Sequence, residues 1–166
     1  MAQAAASSVP PQSEVATKRI AVIGAGAAGL CMAKYLREVG FDVTIFEIGS
    51  QIGGMWCYRN DNGLSSAYRT LHINTSRGVT RFHDLDFDAD VQAFPDHRDM
   101  HRYLEKYARH FDLVGLIRFN TTVTDIRPAF DPATEPPRWN VELADGTVES
   151  FDTVLAATGH LADPLH

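Results

Sequence analysis

Arg19-Ile20-Ala21-Val22-Ile23-Gly24-Ala25-Gly26-Ala27-Ala28-Gly29-Leu30 decides how this chain is read. Residues 19–23 form a short β-branched run able to be buried on both faces, as a parallel strand requires, and a glycine loop follows at once. From Ala28 the apolar period changes. Leu30, Ala33 and Leu36, with Tyr35 and Val39, make one stripe, while Lys34, Arg37 and Glu38 lie largely opposite. That pattern predicts a helix, closed by Gly40. Residues 41–46 return to an apolar strand pattern, so residues 19–46 spell a strand, helix, strand unit.

Such a unit built around Gly-x-Gly-x-x-Gly is a dinucleotide-binding signature, and the spacing explains each glycine. Gly24 permits the tight turn out of the strand, Gly26 lets backbone approach a pyrophosphate, and Gly29 lets the helix pack closely on the sheet. Ala27 and Ala28 begin the helix, whose free N–H groups and positive dipole end face the anion. Glu47 follows Gly29 by 18 residues at the end of the second strand, where a carboxylate accepts ribose hydroxyls and repels a 2′-phosphate. The site is expected to hold FAD or NAD, with NADP disfavoured. Gly53-Gly54 gives a second close approach of backbone, and Met55-Trp56 places flat apolar area beside it; a turn with a core tryptophan explains the same residues.

Further along, residues 49–81 are rich in Gly, Asn, Ser and Arg with little periodicity, which predicts a segment covering a ligand. A second helix is predicted from Arg98 to Phe111, with Met100, Tyr103, Leu104, Tyr107, Ala108 and Phe111 inward and Asp96 as its N-cap. Strand patterns follow at residues 116–119 and 122–126, then a proline-rich loop. A hairpin of residues 139–143 and 147–151 turns on Asp145-Gly146 and hands the chain to an apolar strand, residues 153–157, aimed at Thr158-Gly159. The expected fold is α/β: a Rossmann-like parallel sheet with helices, plus a small antiparallel hairpin or meander, incomplete at its C-terminal side. Residues 1–17, rich in Ala, Ser, Pro and Gln, read as a disordered lead-in with no signal-peptide pattern, leaving 18–166 as the folded unit.

With 21 acidic and 15 basic residues the net charge is −6, which argues against nucleic acid as a partner. The apolar run of residues 21–33 is too short to span a bilayer and contains three glycines. Two cysteines, Cys31 and Cys57, match no metal knuckle or disulfide framework, and a cytoplasmic location is expected. No metal site is expected. His97 and His101 are spaced i, i+4, but Arg98 replaces the glutamate a zinc-protease motif needs. Asp84, Asp86, Asp88 and Asp90 alternate like a calcium loop, yet Val91 and His97 occupy the positions of its glycine and glutamate. Ser65, Ser66 and Ser76 lack a nucleophile elbow.

Taken together, residues 23–30, Phe46-Glu47, Ile52-Gly53-Gly54-Met55-Trp56, Tyr68, Leu71, Asn74-Thr75-Ser76-Arg77, residues 103–113 and Ala157-Thr158-Gly159-His160 resemble the flavin-containing monooxygenases over about residues 18–164. The resemblance implies FAD as cofactor, NADPH as reductant in the intact enzyme, and transfer of one oxygen atom from O2 to the nitrogen or sulfur of a small molecule. It also implies that the amide of Asn74 lies beside the flavin ring, that adenine meets backbone near Val123, and that Thr158-Gly159 brings a strand end to the dinucleotide. An Asx-turn residue in a polar loop is the other reading of Asn74. One departure is Phe82-His83-Asp84-Leu85-Asp86, which loses a proline and gains charge. The 12 glycines supply no second loop for NADPH, so a missing C-terminal half or second polypeptide is expected. A Baeyer-Villiger monooxygenase fragment and a non-catalytic dinucleotide-binding remnant are the alternatives.

Overall fold

A computed structural model describes residues 17–129 and 138–159. The lead-in, all but its last residue, the proline-rich loop (130–137) and His160 lie outside the described residues. In chain order the elements are β1 (Arg19–Ile23), α1 (Ala27–Glu38), β2 (Asp42–Phe46), α2 (Arg77–Thr80), α3 (His97–His110), β3 (Ile117–Arg118), β4 (Val123–Ala129), β5 (Arg138–Leu143), β6 (Val148–Phe151) and β7 (Thr153–Ala156). Short 3-10 turns occupy Gly54–Trp56 and Val114–Leu116.

Four strands form a parallel sheet in the order β3-β2-β1-β7, and β4-β5-β6 form a separate antiparallel meander. The period-two alternation of β1 and β2 creates two cores. Ile20, Val22, Val43 and Ile45 face Leu30, Ala33, Leu104, Tyr107 and Ala108 on the helical side. Ala21 and Phe46 face Val141, Leu143 and Phe151 of the meander. The central strand β1 is therefore apolar from Ile20 to Ile23 because each of its faces is covered. Phe46 and Phe151 meet edge to face at 5.8 Å, and Arg118 bridges to Glu149 across the same junction.

Asp96 caps α3 as expected, accepting the N–H groups of Arg98 and Asp99 at 2.8 and 3.0 Å, while the Asp99 carboxylate returns a bond to the Asp96 N–H. Burial outweighs every other single influence in raising the Asp96 carboxyl, but the Asp99 and Arg98 N–H groups and the Arg98 guanidinium together hold it below the usual carboxylate range.

The α1 stripe differs from its sequence pattern. Its buried residues are Gly29, Leu30, Ala33 and Lys34, while Tyr35 and Val39 are exposed. Lys34 is able to face inward because its ammonium pairs with Asp84 at 2.8 Å and Glu38 at 2.9 Å. The Asp84 partner also raises the lysine pKa well above its ordinary value. Asp86, which replaces the proline of the family run, is exposed and pairs with Arg81 instead. The strand expected over 116–119 shortens to two residues, its start being taken by the 3-10 turn.

Candidate dinucleotide site

The glycine loop leaves β1 at the C-terminal edge of the parallel sheet, where a ligand crevice forms in open α/β folds. Two of its glycines answer to packing within the protein. A Cβ on Gly29 would stand 1.9 Å from the Gly24 carbonyl oxygen, and one on Gly24 would stand 2.6 Å from the carbonyl oxygen of Ala157. Gly26 does not. It has an extended backbone that any residue adopts, and a Cβ there would meet only the Gly54 Cα, at an ordinary 3.7 Å. No internal clash therefore demands glycine at this position, although the Gly54 turn lies against it. Gly26 also caps α1 with no side chain to bond the first-turn N–H groups, which stay available to an anion. These features fit the diphosphate of a bound dinucleotide.

Glu47 is buried at the end of β2 and turns inward to the loop. One carboxylate oxygen accepts the Ala25 N–H at 2.8 Å and the other the Gly49 N–H at 2.8 Å. Its main chain continues the sheet pattern, donating to Arg118 O and accepting from Thr121 N–H at 2.9 Å. This carboxylate therefore braces the turn, with a second lone pair on each oxygen left for a sugar hydroxyl. Val123 begins β4 two residues beyond Thr121, which brings it close to the Glu47 strand end, but its side chain packs into the meander core.

Gly54, Met55 and Trp56 form the 3-10 turn facing the loop, and a Cβ on Gly54 would stand 3.2 Å from the Gly26 Cα. Trp56 is half-buried against the helical core, so it serves as packing on one side, and the Met55 carbonyl accepts the Ser65 hydroxyl at 2.9 Å. Ala27 packs partly into that core and Ala28 is exposed at the helix start. Ala157 N–H bonds Ile23 O at 2.9 Å, which delivers Thr158 beside Gly24 and leaves both Thr158 and Gly159 exposed. The glycine loop, Glu47, the Gly54 turn and Thr158 thus converge on one edge of the sheet. Asn74 is exposed on a bend whose flanking bonds, Ile73 N–H to Pro95 O and Arg77 N–H to Ala93 O, run toward the start of α3.

Residues 17–165 match the family described as flavin-binding monooxygenase-like. The chain belongs to this family. Among its relatives, the Arabidopsis thaliana flavin-containing monooxygenase FMO GS-OX-like 6 is 35% identical across 93% of this chain and 37% of its own length. The human dimethylaniline monooxygenase [N-oxide-forming] 4 is 34% identical across 89% of this chain and 27% of its own length. The solved S-allyl-L-cysteine S-oxygenase of Allium sativum superposes with a TM-score of 0.75 at 33% identity, covering 90% of this chain and 38% of that one. This flavin-binding monooxygenase-like chain therefore spans well under half the length of these relatives. Among the described residues no helix is long and apolar enough to cross a membrane, and no group of three or more His, Cys, Asp or Glu could hold a metal ion.

What the sequence pattern passed over is how α3 holds the covering segment. Tyr103 Oη accepts the Phe82 N–H at 2.8 Å and donates to Leu85 O at 2.8 Å. Lys106 Nζ donates to Asp86 O at 3.0 Å and pairs with Asp88 at 2.7 Å. His97 Nε2 lies 3.3 Å from Arg69 O, and His101 Nε2 lies 2.8 Å from Ile52 O. The i, i+4 spacing of the two histidines was the visible signal, and its use here is to bond main-chain carbonyls.

Proposed function

We propose that residues 18–166 form the FAD-binding portion of an NADPH- and O2-dependent flavin monooxygenase that oxygenates soft nitrogen or sulfur atoms of small molecules in the cytoplasm. The observation that carries this reading is the uncapped helix N-terminus at Gly26, where no internal clash demands glycine, lying against a second glycine turn. The first-turn N–H groups of α1 would bind the FAD diphosphate, Glu47 the adenosine ribose, main chain near Val123 the adenine, and Thr158-Gly159 the far side of the crevice. Met55, Trp56 and Asn74 would border the flavin ring, with the Asn74 amide donating to its reacting edge. Bound flavin supplies the redox and oxygen-transfer chemistry, while these side chains orient it and limit water. The hydride donor and most of the substrate pocket would come from a further polypeptide region, in line with the 37% of the relative's length that this chain covers.

The test is titration of the purified chain with FAD, followed by flavin fluorescence, beside Gly26→Ala. Added bulk over Gly26 is expected to weaken FAD by tenfold or more, as a 1 Å misplacement does in other sites, while the melting temperature shifts by only a few degrees, roughly the effect of ~1 kcal/mol. Equal FAD affinity in the two proteins would overturn the placement of the diphosphate.

A further inference from the structure

We infer that His101 is a positioning residue for the diphosphate, acting on the Gly26 N–H through a relay of two peptide units; the inference rests on the FAD reading of the crevice. A carbonyl oxygen only accepts, so the 2.8 Å contact between His101 Nε2 and Ile52 O requires the proton on Nε2. The Ile52 carbonyl and the Gly53 N–H are the two ends of one peptide. Its N–H donates to Ala25 O at 3.1 Å. The Ala25 carbonyl in turn shares a peptide with the Gly26 N–H, which donates to no protein acceptor among the described residues. Each bond in such a chain polarises the next, so a donor on Ile52 O makes the Gly53 N–H a better donor, and that in turn strengthens the Gly26 N–H.

The imidazole also fixes where the relay lies. Gly53 has φ +123°, and a Cβ there would stand 2.7 Å from His101 Cδ2, so the ring packs directly on the glycine. From the opposite side Glu47 holds the Ala25 N–H at 2.8 Å. The peptides on both sides of Ala25 are thus held by named partners, and the Gly26 N–H is the open end of the chain. Neither histidine of the 97/101 pair is needed for metal binding to explain this arrangement. Supporting groups of this kind, removed from the ligand by one or two bonds, are what keep a binding geometry tight.

Two substitutions separate the relay from plain packing. His101→Phe keeps a ring against Gly53 and removes the donor; His101→Gln restores an N–H donor of similar reach. On the whole chain, FAD and ADP are expected to bind about five- to tenfold more weakly to H101F, the size of one lost hydrogen bond, with adenosine unchanged. H101Q is expected to recover most of that loss. In the ligand-free protein, the Gly53 and Gly26 amide proton resonances should both move upfield in H101F and return in H101Q. Equal weakening of ADP and adenosine, or failure of glutamine to rescue, would overturn the relay. If the unsubstituted chain binds no FAD, the reading of the crevice fails, and the more distant Gly26 amide resonance still decides the relay: an upfield move in H101F that returns in H101Q supports it, and any other result removes it.

Discussion

The glycine loop and the long irregular stretch of residues 49–96, which includes the expected covering segment 49–81, are held by different means. Around the loop, main chain meets main chain: Gly24 N–H bonds Phe46 O at 2.8 Å, Gly53 N–H bonds Ala25 O, and the helix carrying Gly29 presses on the Gly24 carbonyl. Over the covering segment, side chains of α3 reach out to carbonyl oxygens, and helix is confined to the four residues of α2 and a single 3-10 turn. At Gly24 and Gly29 the first arrangement has no slack, since a single added carbon collides with backbone. The second is a set of separate side-chain tethers from α3. Rigidity is thus concentrated where the dinucleotide would dock, and adaptability where the flavin would be enclosed.

The sharpest way to break this contrast is Gly29→Ala. With a Cβ placed 1.9 Å from the Gly24 oxygen, α1 must lift from the sheet, and a loss of at least ~3 kcal/mol is expected in urea unfolding. A near-neutral result would show that the loop has give. Next comes Glu47→Ala, which strands the Ala25 and Gly49 N–H groups away from water and is expected to cost ~3 kcal/mol, with Glu47→Gln milder because one acceptor remains.

Tyr103→Phe examines the other side of the contrast. It removes both bonds to residues 82 and 85 and should cost ~2 kcal/mol while leaving the far-ultraviolet circular dichroism of the sheet intact. Burial raises the Tyr103 phenol from 10.0 to about 12. The folded state therefore holds this proton more firmly than the unfolded chain does. Its contribution is complete below pH 10 and declines as pH rises from 10 through 12, so urea midpoints should fall over that window, and less steeply in Y103F. The smallest effect belongs to Asp96→Ala, which uncaps α3 at an expected ~1 kcal/mol. Because the folded-state carboxyl is held below the usual range, its contribution is present above the unfolded value of about 3.9 and is lost as pH falls through the lower folded one. The gap in melting temperature between the two proteins should therefore close in acid.

Features governed by neighbours in sequence are legible in the sequence itself. The glycine loop, the switch from period two to period 3.6 at Ala28, the Asp96 cap and the Asp145-Gly146 hairpin all follow local rules, and each appears where the pattern put it. Tethers across long separations did not show. His101 to Ile52 spans 49 positions, and no periodicity marks a histidine as the partner of a distant carbonyl. Lys34 failed for a related reason: its charge argued for water, and only the approach of Asp84, 50 positions on, makes the inward rotamer tolerable. Glu47 was correctly set at the strand end, but sequence spacing gives no hint that its oxygens face the loop amides.

That Lys34 and Asp84 contact carries an evolutionary corollary. The lysine belongs to α1 and the aspartate to the irregular segment 50 positions on, so a change at either position removes the other's partner. Replacing the lysine alone leaves a carboxylate shielded from solvent without its counterion, whereas an apolar pair at both sites would be tolerated. Sequences descended from this one should therefore change residues 34 and 84 together, and a joint swap of Lys34→Met with Asp84→Leu should melt closer to the parent than either single replacement.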